Sequence, residues 1–185
     1  MTDLRYMQPN APLTLATKIH EMPDAATVIL PETIFYAQGG GQPSDQGTIS
    51  SESGEFRVEK VQNIEGVIYH YGEVTKGELN VGDEVVCKVD TERRTLNTRI
   101  HSAGHLLDLA VKQLGFDWVP SKGYHFPDGP YVEYAGTPEE DWEAVAQKIE
   151  RTAQDLIKSD LPVTLEFMNR EEMEKRLPFV PEYLP

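Results

Sequence analysis

Basic residues are scarce in this chain of 185 residues: 17 Lys and Arg stand against 31 Asp and Glu, so 17 − 31 leaves a net charge of −14 before histidine is counted. Phosphate contacts need clustered Lys and Arg, which excludes a broad nucleic-acid-binding face and argues against a DNA partner. The available clusters are small: Arg93 and Arg94 with Arg99, Lys148 with Arg151, and Lys175 with Arg176. A nucleic-acid partner would be touched locally rather than gripped along its length. Cysteine is scarcer still. Cys87 is the only one, so no disulfide can form within the chain, and its place in the alternating run Glu84–Val89 marks a buried strand thiol. Met1-Thr2-Asp3-Leu4 lacks the basic start and apolar stretch of a secretory signal. No apolar run approaches the roughly 20 residues of a membrane helix. A soluble protein in a reducing, cytoplasmic setting, with no membrane partner, is the expectation. Repeats and low-complexity segments are also lacking.

What is present begins with enough hydrophobic residues, 39%, to bury a core. From about residue 12 to 90 the chain reads as short strands. Residues 26–30, 56–61, 67–71 and 85–89 are rich in β-branched and aromatic side chains, and Gly, Asn, Asp or Pro separate them. Such spacing predicts a small antiparallel barrel or sandwich. After Asp90 the period changes. Leu96, Ile100, Ala103, Leu107, Ala110 and Leu114 recur at helical steps, with Asp90 placed to cap the start and Gly115 the end. Thr137-Pro138-Glu139-Glu140 has the form of a capping box for a second helix, whose buried stripe would be Trp142, Val145, Ala146, Ile149, Ala153, Leu156 and Ile157. Strands are expected at 131–134 and 163–167, and a short third helix at 170–176.

Two segments could carry chemistry. His101 and His105 lie four residues apart on the first predicted helix, about 40° apart in projection, so both imidazoles can face one ion. Asp108 continues the ridge and could orient one ring as an acceptor behind it or face water. Two polar residues at the edge of a core would give the same spacing. Ser102 stands where a His-Glu-x-x-His metalloprotease needs its glutamate, which disfavours that class. The second segment is Gly39-Gly40-Gly41-Gln42, where three glycines permit positive φ and close approach while Gln42 offers a donor and an acceptor. A plain hairpin loop would also look like this. No Gly-x-x-x-x-Gly-Lys is present, so it is not a nucleotide cradle.

Taken together, Phe35 to Gly47 and Arg94 to Leu107 resemble the editing domain of alanyl-tRNA synthetases and its free-standing trans-editing relatives, in which a glycine-rich hairpin loop precedes a helix carrying His-x-x-x-His. Pro120-Ser121-Lys122-Gly123 resembles that family's loop before the next strand, and residues 162–172 its next strand and helix. The resemblance implies an α+β fold: a small N-terminal antiparallel β-barrel over 1–90, then an α/β editing domain over 91–185 with an antiparallel sheet and two main helices. It also implies hydrolysis of the ester joining a wrong amino acid, serine or glycine, to the alanine tRNA at its acylated 3′ end. His101 and His105 match the family's first pair of zinc ligands; Gly39, Gly40, Gly41 and Gln42 match its glycine-rich loop, and Ser121 falls where many members carry a glutamine near the pocket. The family's remaining ligands come from a Cys-x-x-x-His segment that nothing here matches, and the expectation is a chain that ends before it. His125 is the alternative third ligand. A non-catalytic module binding tRNA or a protein, and a zinc hydrolase of another acyl ester, are the competing readings.

Overall fold

The computed structural model describes residues 1–139, 141–164 and 166–176. Among the described residues eleven strands and three α-helices follow one another. Strands β1 (Asp3–Leu4), β2 (Thr14–Lys18), β3 (Glu21–Asp24), β4 (Thr27–Ile29), β5 (Glu32–Thr33), β6 (Gly47–Ser50), β7 (Gly54–Ile64), β8 (Val67–Gly77) and β9 (Glu84–Val89) come first. Then come α1 (Thr91–Gln113), β10 (Val119–Tyr124), β11 (Tyr131–Ala135), α2 (Trp142–Lys158) and α3 (Arg170–Arg176). The fold is mixed α+β. Seven strands form one curled antiparallel sheet in the order β2-β9-β6-β7-β8-β4-β3, and β1 pairs with β5 in parallel alongside it. Among the described residues no helix is long and apolar enough to cross a membrane.

Alternation builds this sheet. In β9, Val85, Cys87 and Val89 point inward while Glu84, Val86 and Lys88 point out, so the cysteine is buried as its run predicts. Burial pushes the Cys87 thiol pKa up to about 12, and the Glu32 carboxylate adds to the shift, so the thiol is inert at neutral pH. Strands β7 and β8 run for 11 residues each, longer than the sequence suggests, because they extend beyond the apolar run into exposed polar pairs. A bulge between Val58 and Lys60 shifts the inward set of β7 from Phe56 and Val58 to Val61. The core gathers Ile34, Phe35, Ile49, Phe56, Val58 and Ile68 with others, all close to fully buried. His70 lies within it. Its Nδ1 is 3.0 Å from the Val28 carbonyl, its Nε2 2.8 Å from Thr33 Oγ1, and desolvation lowers its pKa to about 4. It is a neutral, structural histidine that donates to Val28 and accepts from Thr33.

Asp90 caps α1 by accepting from the Arg93 amide, and Gly115 follows the helix at φ +80. The apolar stripe expected along α1 holds only in its second half, where Leu106, Leu107 and Ala110 pack against Ile149, Ala153 and Leu156 of α2. Its first half is turned so that Asn97 and Gly104 are buried, while Leu96 is 49% exposed. The reason is that this half faces a polar loop rather than an apolar layer. Four further expectations are corrected. Helix α2 is capped by Asp141, whose carboxylate accepts from the Glu143 and Ala144 amides, rather than by Thr137; Glu140 lies outside the described residues. Trp142, Ala146 and Ile157 of its proposed stripe are exposed, since only one face of α2 meets α1. Pro120 to Gly123 belong to strand β10, paired with β11 around a bulge at Ser121, rather than to a loop. Residues 163, 164, 166 and 167 form no strand among the described residues, because no neighbouring edge pairs with them there; Leu165 lies outside that set.

Candidate functional site at the junction of the glycine loop and the first helix

The loop between β5 and β6 folds back on itself at its tip. Gly39 and Gln42 exchange two backbone hydrogen bonds, of 3.2 and 3.0 Å, around Gly40 and Gly41, both at positive φ (+56 and +78). A side chain at either position would strain this two-residue reversal. The strap that follows, residues 42–45, is buried and is stitched to the first half of α1. Arg93 Nε donates to the Ser44 carbonyl at 3.1 Å. The Arg94 guanidinium grips the fully buried Asp45 carboxylate through two nitrogens and also donates to the Ile34 carbonyl at 2.7 Å. Asp45 accepts in addition from the Tyr36 amide at 2.7 Å. The charge is therefore satisfied from three directions, as a buried carboxylate requires. Arg93 and Arg94 are thus committed to the fold rather than offered to phosphate, which corrects the cluster read from sequence.

Two turns later, His101 Nδ1 is 3.0 Å from Gln42 Oε1. A carbonyl oxygen only accepts, so this nitrogen carries the proton and Nε2 keeps the lone pair. The Cε1 and Nε2 edge of the ring faces the loop tip: a Cβ built on Gly40 would lie 3.5 and 3.9 Å from those atoms. His105 repeats the pattern more loosely, with Nδ1 at 3.4 Å from Asp108 Oδ2, and Asp108 is held from behind by the Tyr134 hydroxyl at 2.7 Å. The two ring centroids are 5.0 Å apart. Partial desolvation, then the neighbouring His105 and His125, lower the His101 pKa, so it is neutral at physiological pH.

His125 completes the group in a way the sequence does not show. Its ring is buried at the junction, stacked on His101 with centroids 4.6 Å apart and planes 19° from parallel. Space for it exists because three of its neighbours are glycines. A Cβ on Gly104, between the two helix histidines, would overlap the ring, and one on Gly123 would come within 2.6 Å of Nε2. The His125 amide donates to the Gly41 carbonyl at 2.9 Å, tying the hairpin to the glycine loop. Desolvation and His105 lower the His125 pKa against the opposing pull of Asp108. Stacked rings carry their lone pairs in parallel planes, so His125 braces His101 rather than meeting it at a shared point. Accordingly, no group of three His, Cys, Asp or Glu converges on one ion among the described residues. Ser121 stands on the exposed side of β10 and donates to the Glu133 carbonyl at 3.2 Å, so the structure gives it no bond to the loop or the histidines.

The family of tRNA synthetases class II (A) matches residues 12–93, the sheet and the start of α1. An alanine–tRNA ligase of Methanopyrus kandleri is 37% identical over 163 residues, which is 86% of this chain and 17% of the relative. One from Pyrobaculum calidifontis is 33% identical over 182 residues, covering 90% of this chain and 18% of the relative. One from Nitrosomonas europaea reaches 42% over 104 residues, 56% of this chain and 12% of that protein. The chain therefore spans less than a fifth of the length of these relatives.

Proposed function

We propose, from the premise that this chain belongs to the alanyl-tRNA synthetase-related family, that it is a trans-editing deacylase. Its substrate would be alanine tRNA mischarged with serine or glycine, and one zinc ion would assist. A role connected with aminoacyl-tRNA follows from the family itself. The observation that carries the finer reading is the matched pair of imidazoles on one helix face: each presents Nδ1 to an oxygen acceptor, which leaves Nε2 as the donor to an ion. Imidazoles that turn Nδ1 toward an oxygen and leave Nε2 open fit zinc, and His101 and His105 would hold it as two ligands of a larger set. When bound there, zinc would polarise the ester carbonyl or activate water.

The remaining work falls to the chain's own side chains. Gln42 fixes the His101 ring, and Tyr134 fixes Asp108 behind His105. The bare backbone at Gly39–Gly41 lets an acylated 3′ end approach within contact of the histidines. Its small footprint suits a chain whose arginines at this face are turned inward and whose net charge is −14. Editing of this kind is needed because a pocket sized for alanine rejects glycine or serine only weakly on binding energy. We further propose that residues 1–90 and 91–185 act as two domains meeting at this site.

Incubating seryl-tRNA for alanine with the protein and zinc should release serine, and His101→Ala should abolish the release. A second reading, a non-catalytic tRNA- or protein-binding module, is favoured by the lack of three converging ligands among the described residues. Binding of uncharged tRNA with no ester cleavage at any zinc concentration would establish the module and remove the enzyme.

A further inference from the structure

The β10–β11 hairpin carries a column of aromatic rings that stays half open to solvent. Register sets Tyr131 opposite Tyr124 and Glu133 opposite Lys122, and Phe126 follows on the same side. The three rings lie nearly parallel. Tyr124 stacks on Phe126 with centroids 4.5 Å apart and planes 10° from parallel, and on Tyr131 at 5.4 Å and 19°. Lys122 Nζ stands 5.4 Å from the Tyr131 centroid and makes no ion pair among the described residues. Tyr131 is 39% exposed, and Tyr124 and Phe126 are half-buried. The His125 ring between them turns the other way, into the junction against Gly104 and Gly123. This hairpin is pinned to the glycine loop: the His125 amide donates to the Gly41 carbonyl at 2.9 Å, and a Cβ on Gly41 would lie 2.4 Å from the Gly123 carbonyl oxygen. The Phe126 end of the column therefore begins one residue from the contact with the loop tip.

We propose that this column is a stacking platform for the unpaired nucleotides that precede the esterified one, with a base laid on the Phe126 ring and a phosphate met by Lys122. The assignment rests on the deacylase reading above, which brings an acylated 3′ end to the loop tip. The chemistry of the face selects the occupant. Near-parallel rings offer π-faces to a base, and every base has a π-face of its own, so such a contact is tolerant of sequence. Electrostatics point the same way. The chain carries a net charge of −14, and Arg93 and Arg94 are bound to the strap, so it has little cation to spend on a phosphate backbone. Asp128, which accepts from the Tyr124 hydroxyl at 3.3 Å, and Glu133 flank the rings and repel phosphates there. Bases rather than backbone are then turned to the column, and Lys122 is the cation on that face.

The test titrates the intact chain into a single-stranded adenosine tetraribonucleotide whose third base is 2-aminopurine, a fluorophore quenched when it stacks. Fluorescence should fall on binding. Phe126→Leu keeps the apolar bulk but loses the π-face, and should weaken binding about tenfold; Phe126→Trp should restore it. Tyr131→Ala, at an exposed position, should weaken binding by a similar factor and serves if the leucine variant does not fold. A tetramer abasic at the third position should bind the unaltered protein about tenfold more weakly than the complete one. Undiminished binding by both variants, equal binding of the abasic tetramer, or no binding of the complete tetramer overturns the platform. Serine release from seryl-tRNA alongside any of those results leaves the deacylase reading standing. Phe126-dependent quenching with no release at any zinc concentration removes the deacylase and keeps the column as an RNA contact.

Discussion

The two halves of the molecule are held together by different forces. The curled sheet closes around fifteen buried apolar residues, among them Phe35, Phe56 and Ile68, all of them before α1 in the chain. In the second half, among the described residues, Ala110, Ala153 and Leu156 form one small buried cluster and Val111 and Val145 are also buried, while Trp142, Ile157, Val163 and Phe167 stay between 60% and 90% exposed. Hydrophobic burial scales with apolar area removed from water, so stability is concentrated in the sheet. The site is built at the boundary, where polar links dominate: Arg94 to Asp45, Arg93 to Ser44, His101 to Gln42, and His125 to Gly41. The difference teaches that the histidine helix is positioned by the sheet's loop rather than by its own core. A lost polar link should therefore loosen the site before it unfolds the protein.

The largest expected effect challenges the contrast in cores. Phe56→Ala should cost about 4 kcal/mol in urea unfolding followed by circular dichroism, against about 2 kcal/mol for Leu156→Ala. Equal costs would mean that the helices contribute as much packing as the sheet. Next comes the link itself. Removing the carboxylate in Asp45→Ala leaves the Arg94 guanidinium uncompensated and should cost about 3 kcal/mol. Amide exchange should then speed up along residues 91–105 while the β7 and β8 amides stay protected; uniform loss of protection would make the halves one cooperative unit.

Acid should act on the sheet through His70. Its folded pKa lies near 4 and its unfolded value near 6.5, so below 6.5 the unfolded chain binds the proton first. The stability contributed by the neutral ring is complete above pH 6.5 and falls away between 6.5 and 4, by roughly 3 kcal/mol at most. His70→Gln should flatten that stretch of the stability profile; an unchanged profile would remove the histidine from the account of acid sensitivity. The smallest effect sharpens the picture of the site. Gly104→Ala improves helix propensity by about 1 kcal/mol yet places a methyl against the His125 ring. The overlap with the buried ring should outweigh that gain, for a net loss of about 1 to 2 kcal/mol, while the His125 imidazole resonances shift. Unmoved resonances would show that Gly104 does not cradle that ring.

Much of the architecture was legible because its signals are local. Alternation at Val85, Cys87 and Val89 yields the strand, and Asp90 ahead of a helical period yields the cap. The glycine loop and the two helix histidines stood out by residue type and spacing, and the structure puts them side by side. What escaped is what tertiary contact decides. The capping box at Thr137 lost to Asp141, whose carboxylate reaches two amides. Leu96 counted as core by periodicity, yet Asn97 took the buried position because α1 meets a polar strap there. The strand expected at 163–167 depends on an edge to pair with, which no local pattern specifies. His125 stood out only as an alternative third ligand, and its bracing of His101 was not legible; the clue was the glycine between two histidines, readable only once a ring is seen to occupy its space.

Nitrogen chemical shifts of the imidazoles during zinc titration test the central assignment most directly. Zinc should move the Nε2 resonances of His101 and His105 together, leave the His101 Nδ1 proton on its bond to Gln42, and spare His70. If the two Nε2 resonances stay fixed, or respond at separate zinc concentrations, the paired imidazoles do not share an ion and the metal-assisted site falls.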